Sequence, residues 1–132
     1  MVRIGEEAFF SKTISETDVY MFAGISGDFN SIHINEVEAS KTIFKKRIAH
    51  GILVTSFISK VIASDLPGAG TVYLEQQMKF KKPVYIGDTV TAIVQVEEII
   101  NPEKGIIKLK TFVKNQMDEI VIDGYAIVKA KE

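Results

Sequence analysis

The chain has 132 residues, of which 46% are hydrophobic and 25% charged, and its formal net charge is −1. That length suits one domain with a real core, and that composition excludes a disordered tail or a fibrous repeat. Near-neutral charge leaves no basic field for a nucleic-acid backbone, and the lack of cysteine excludes a disulfide framework, a thiolate zinc site and a cysteine nucleophile.

The opening M-V-R-I-G-E-E has no charged-then-apolar leader pattern. The most apolar stretch, residues 51–63, is shorter than the ~20 residues a membrane helix needs and carries Lys60. A soluble, cytoplasmic protein with no membrane partner is expected. No Pro/Gly/Ser-rich linker, charge block or repeat divides residues 1–132, so one domain is expected.

Glu6 to Ile14, with Ala8, Phe9 and Phe10, reads as an opening strand. Ser15-Glu16-Thr17-Asp18 is a helix start, since Ser15 can cap free N–H groups and the acids suit the dipole's positive end; Gly24 is the expected stop. Ser26-Gly27-Asp28 is turn chemistry, and a polar loop is expected from there to His33. Asn35 can cap another helix, with Glu38 three residues later as in a capping box.

From Gly51 the pattern changes. Ile52, Leu53, Val54, Phe57, Ile58, Val61 and Ile62 cover most of a helix surface, so that helix should be buried on most sides and end at Asp65-Leu66-Pro67-Gly68. The second half alternates with period two: Val72, Leu74, Met78 and Phe80; Val90, Ala92, Val94 and Val96; Ile107, Leu109 and Val113; Ile120, Ile122, Ala126 and Val128. Gly87-Asp88, Asn101-Pro102 with Gly105, and Met117-Asp118 supply the turns. The order predicts an α+β fold, with a buried helix lying on a strongly curved antiparallel sheet.

Both histidines, His33 and His50, fall in the region before that helix. Asp28, Asn30 and His33 lie within six residues, close enough for a carboxylate and an imidazole to grip one water. One partner can take a proton from it while the other supplies a proton to a neighbouring carbon, and the imidazole's ordinary pKa of about 6.5 suits that exchange. Spacing alone does not decide the matter, because such residues more often form turns. If the buried helix starts near His50-Gly51, its free N–H groups carry about +0.5 of charge. A thioester carbonyl aimed at them would be polarised, and glycine would let its oxygen approach.

Other groups read as structural. His50 suits a helix start or packing, and the acids around His33 and His50 lack a metal-ligand spacing, so no metal is expected. Phe44-Lys45-Lys46-Arg47 and Lys79, Lys81 and Lys82 read as solvated faces before phosphate sites. No serine sits in a G-x-S-x-G context.

The stretch F-A-G-I-S-G-D-F-N-S-I-H-I-N, Phe22 to Asn35, resembles the hydratase motif of the MaoC-like dehydratases, above all the (R)-specific enoyl-CoA hydratases. A-H-G-I-L at Ala49 to Leu53 and F-K-K-P-V-Y-I-G-D-T at Phe80 to Thr89 are similar to two further family segments, in the same order. The resemblance implies a hot-dog fold, its sheet wrapped around a long helix from His50 to Asp65. It also implies a homodimer or higher oligomer, an acyl-CoA thioester substrate, and no metal, redox group or other cofactor. By the same resemblance Asp28 and His33 are the catalytic pair. Asn30 and Gly51 are the substrate-side residues, Asn30 ordering the site and the Gly51 amide receiving the thioester oxygen. The implied reaction is reversible syn hydration of a trans-2-enoyl-CoA to an (R)-3-hydroxyacyl-CoA. A hot-dog acyl-CoA thioesterase and a non-catalytic acyl-CoA-binding module are the alternatives. The sequence departs from the family pattern at Ser31, where proline is usual, and at Asn35, where aspartate is common.

Overall fold

The computed structural model of the protein describes residues 2–131. Strand β1 (Glu7–Thr13) leads into three short helices, α1 (Glu16–Ser26), α2 (Ser31–Ile34) and α3 (Glu36–Ser40). Helix α4 (Gly51–Ser64) follows, then strands β2 (Val72–Phe80), β3 (Thr89–Asn101), β4 (Ile106–Lys114) and β5 (Ile120–Lys129). The five strands form one sheet in the order β1-β3-β4-β5-β2, every neighbouring pair antiparallel. This is the hot-dog arrangement, with α4 as the filling.

The alternation in β3 explains why the helix lies where it does. Val90, Ala92, Val94 and Val96 are at most 1% exposed, and they meet Val54, Ile58 and Val61 of α4, each 0% exposed. Burial of each valine or isoleucine side chain here contributes about 1.5–3 kcal/mol, so this seam holds helix to sheet. Register shifts at Val96/Glu98 and Ile99/Asn101 bend β3 around the helix.

Helix starts follow local chemistry. Ser15 Oγ accepts from the Asp18 N–H at 3.0 Å while the Ser15 N–H donates to Asp18 Oδ2 at 2.9 Å, a closed capping box. Asn35 Oδ1 accepts from the Glu38 N–H at 3.0 Å, but the Glu38 carboxylate turns outward to Lys41. Helix α4 is different. His50 precedes it and gives no side-chain cap.

Four local expectations need correction. Helix α1 does not stop at Gly24 but runs to Ser26, and Gly27 (φ 81°) closes it, its N–H donating to the Ala23 carbonyl. Only Gly27 needs the left-handed conformation, which is where glycine is favoured. His33 lies within α2, not on a loop. Ile120 is exposed because the β4–β5 register slips at Val113/Lys114, so Val121 and Ile122 are both buried. Val72, Leu74 and Phe80 are each 53% exposed, since β2 is an edge strand whose apolar row is only partly covered. Among the described residues no helix is long and apolar enough to cross a membrane.

Candidate active site

Residues 26–35 form a chain of short side-chain bonds, each fixing the next turn. Ser26 Oγ accepts from the Asp28 N–H at 3.1 Å, and Asp28 Oδ1 accepts from the Asn30 N–H at 3.1 Å. Asn30 Oδ1 then accepts from the Ile32 N–H at 3.3 Å, which caps α2. These are Asx-type closures, in which a short polar side chain replaces a missing backbone partner. Ser31 takes the first position of α2, where proline is favoured, so the turn here is closed by side chains and not by a ring.

Helix α2 turns His33 inward until 6% of it is exposed. Its Nδ1–H donates to the Ile48 carbonyl at 2.7 Å, which leaves Nε2 as the free ring nitrogen. Ile48 is itself held firmly. Its N–H donates to the Ile32 carbonyl, it bridges to Tyr85, and the next residue, Ala49, donates to the Val84 carbonyl at 2.7 Å. The Gly87-Asp88 turn supports this strap, with Asp88 Oδ2 accepting from the Tyr85 N–H at 2.8 Å.

His50 continues the strap and is 2% exposed. Its ring stacks on His33 with centroids 3.9 Å apart and planes 28° apart, and Phe22 leans on it at 4.9 Å. His50 Nε2–H donates to the Asp28 backbone carbonyl at 2.9 Å. One carboxylate oxygen of Asp28 and one ring nitrogen each of His33 and His50 lie within 4.8 Å of one another. Two hydrogen bonds meeting at one water span about 4.5 Å, so that spacing fits a shared water. Each ring already gives one N–H to a backbone carbonyl, so each offers only its other nitrogen.

A cavity of about 470 Å³ opens beside the cluster, bounded by His33, Phe44, Gly51, Ile52, Phe80 and Val84. The structure thus gathers His33, the amino end of α4 and, close by, the exposed Asp28. Asn30 acts locally as a cap. A Cβ added to Gly51 would lie 2.5 Å from Phe80 Cε1, so glycine is what lets the helix end and that ring share the cavity wall.

Sequence reasoning missed several supports. Arg47, read as part of a solvated run, donates to Glu16 (2.6 Å), Glu36 (2.6 Å) and the Tyr20 hydroxyl (2.8 Å). It joins α1 and α3 to the strap, and these partners hold its pKa above the ordinary arginine value. The Ile48 carbonyl is a backbone group, so no residue type announces it.

Burial pushes the His33 pKa down; the Ile48 carbonyl and Asp28 oppose that shift, and His50 adds to it, leaving the pKa below 6.5. The unfolded chain therefore binds more protons than the folded one between the folded value and about 6.5. Stability should be full above pH 6.5 and fall as pH drops through that window. Urea midpoints at pH 7.5 and 5.5 check this, and His33→Gln should show a smaller fall than wild type. An equal fall would remove His33 as the cause.

A family model described as MaoC like domain matches residues 2–117. The chain is 48% identical over 127 residues to an (R)-specific enoyl-CoA hydratase of Rhodospirillum rubrum, covering 96% of this chain and 87% of that protein. It is 43% identical to a 3-hydroxybutyryl-CoA dehydratase of Methylorubrum extorquens, covering 97% and 80%. Among solved structures, an (R)-hydratase from A. caviae superposes with a TM-score of 0.95 at 37% identity, covering 98% of both chains.

Proposed function

Because the chain belongs to the MaoC-like dehydratase family, we propose that it is an (R)-specific enoyl-CoA hydratase, in reverse a 3-hydroxyacyl-CoA dehydratase. The observation that carries this is the Asp28–His33 spacing of no more than 4.8 Å beside an uncapped helix end. A water between them gives hydrogen bonds to the carboxylate and to Nε2, which turns its oxygen lone pairs toward the substrate. The oxygen adds to the β-carbon, one proton passes to the pair, and the pair returns one proton to the α-carbon on the same face. The two groups act on one water. The Gly51 N–H, first of α4, stabilises the negative charge that builds on the thioester oxygen. Asn30 keeps the water-holding turn in shape. The chemistry needs no metal or redox group.

The reading includes a homodimer. Edge strand β2 exposes Val72, Leu74 and Phe80, and Ile52 of α4, which lines the cavity with Phe80, is 54% exposed. A long apolar edge favours pairing with a second copy, and light scattering after gel filtration tests the mass.

Purified protein mixed with crotonyl-CoA should lose enoyl absorbance without releasing free thiol. Thiol release would make it a thioesterase, and no turnover on short or medium enoyl chains would leave a binding module. Gly51→Ala should lower kcat/KM about 10-fold or more, as expected for a disturbed oxyanion donor, with little change in Tm. The added methyl must displace the Phe80 ring. Gly51→Ala with Phe80→Ala should recover part of the loss; no recovery would place the defect at the amide itself.

A further inference from the structure

His50 breaks two local rules at once. A helix start favours Ser, Thr, Asn or Asp, whose side chains occupy the first free N–H groups, yet His50 gives no such bond. Its Nδ1 is buried and has no hydrogen-bond partner among the described residues, an arrangement that costs stability and calls for a reason. Local violations of this kind gather where a residue serves something other than its own segment.

That something is the geometry of the whole site. One buried ring touches all three of its parts. Its Nε2–H ties the Asp28 carbonyl across 22 residues of chain, its face stacks on His33, and its own backbone runs directly into Gly51. The donor role at Nε2 also places the neutral ring's lone pair at Nδ1, the orphaned atom. A serine or aspartate here would satisfy the helix but would place a polar oxygen on the Ile52 or Leu53 N–H, beside the Gly51 N–H at the cavity. We infer that His50 is a positioning residue: it fixes the distance between the water-holding turn and the amino end of α4, and leaves that helix end open for the substrate oxygen. This rests on the hydratase reading for its catalytic consequence; the tether itself does not depend on it.

Two variants separate the contacts. His50→Phe keeps a ring against His33 and removes the donor; His50→Gln keeps a donor near the Nε2 position and removes the ring. A misplaced reacting group costs up to ~100-fold, so His50→Phe should lower kcat for crotonyl-CoA between ~10- and ~100-fold while KM stays within about threefold. Tm should change little, since loss of the bond to the Asp28 carbonyl is offset by loss of the orphaned nitrogen. His50→Gln should keep several-fold more kcat than His50→Phe. A merely structural histidine would instead give parallel losses of Tm and kcat in both variants, and a kcat within threefold of wild type in His50→Phe would overturn the proposal. Amide hydrogen exchange at Phe29 and Asn30, read without substrate, is the second measurement. Exchange should quicken in His50→Phe and less so in His50→Gln; unchanged exchange in His50→Phe overturns the tether. A wild-type protein with no turnover would sink the hydratase reading, and the exchange result would still decide the tether.

Discussion

Asp28→Asn should lower kcat/KM for enoyl-thioester hydration by at least ~100-fold, the usual scale for a positioned acid–base group, while the protein stays folded. The substitution is clean for a structural reason. The bond that Asp28 Oδ1 accepts from the Asn30 N–H can be accepted equally by an asparagine oxygen. The bond from His50 goes to the Asp28 backbone carbonyl and is untouched. What disappears is the charge and its capacity to hold or return a proton. Steady-state kinetics beside a thermal melt give the answer, and activity within a few-fold of wild type would take Asp28 out of the chemistry.

His33→Gln should cost at least ~100-fold as well, for a different loss. Glutamine can still donate to the Ile48 carbonyl, so the strap keeps a partner. It has no second nitrogen that changes protonation near neutral pH, and it gives His50 no ring to stack on. The double variant Asp28→Asn/His33→Gln should be little worse than either single one, because two groups that act on one water are not additive. Multiplied losses in the double variant would mean that the two residues act in separate steps.

Much of the fold was legible. The dense apolar run from Ile52 to Ile62 identified α4, and the strict alternation from Val90 to Val96 identified a strand with one buried face. Where reading failed, the cause was tertiary. Gly24 and the Ser26-Gly27-Asp28 turn signal stand three residues apart, and only the packed chain shows that the helix ends at the second. Ile120 obeys the two-residue period until a register slip ends it. The row in β2 is apolar as expected, but it lies at the sheet edge and stays half exposed.

The candidate site divides in the same way. Asp28, Asn30 and His33 stand within six residues and were visible as a group. Their supports were not. The Ile48 carbonyl has no side-chain signature, and Arg47 reaches Glu16 across 31 positions. His50 was read as a helix start or a packing residue and is both, yet its contact with Asp28 spans 22 positions that no periodicity links.

Asp28, Asn30, His33 and the Gly51 amide come from one uninterrupted stretch, residues 28–51, whereas Phe80, Val84 and Ile122 of the cavity wall come from the second half of the chain. The groups placed in the chemistry thus share one segment, while the apolar cavity wall is drawn from both halves of the chain. Side-chain changes at Val84 and Ile122 can therefore reshape the cavity wall without replacing any residue of the stretch that carries Asp28, His33 and Gly51.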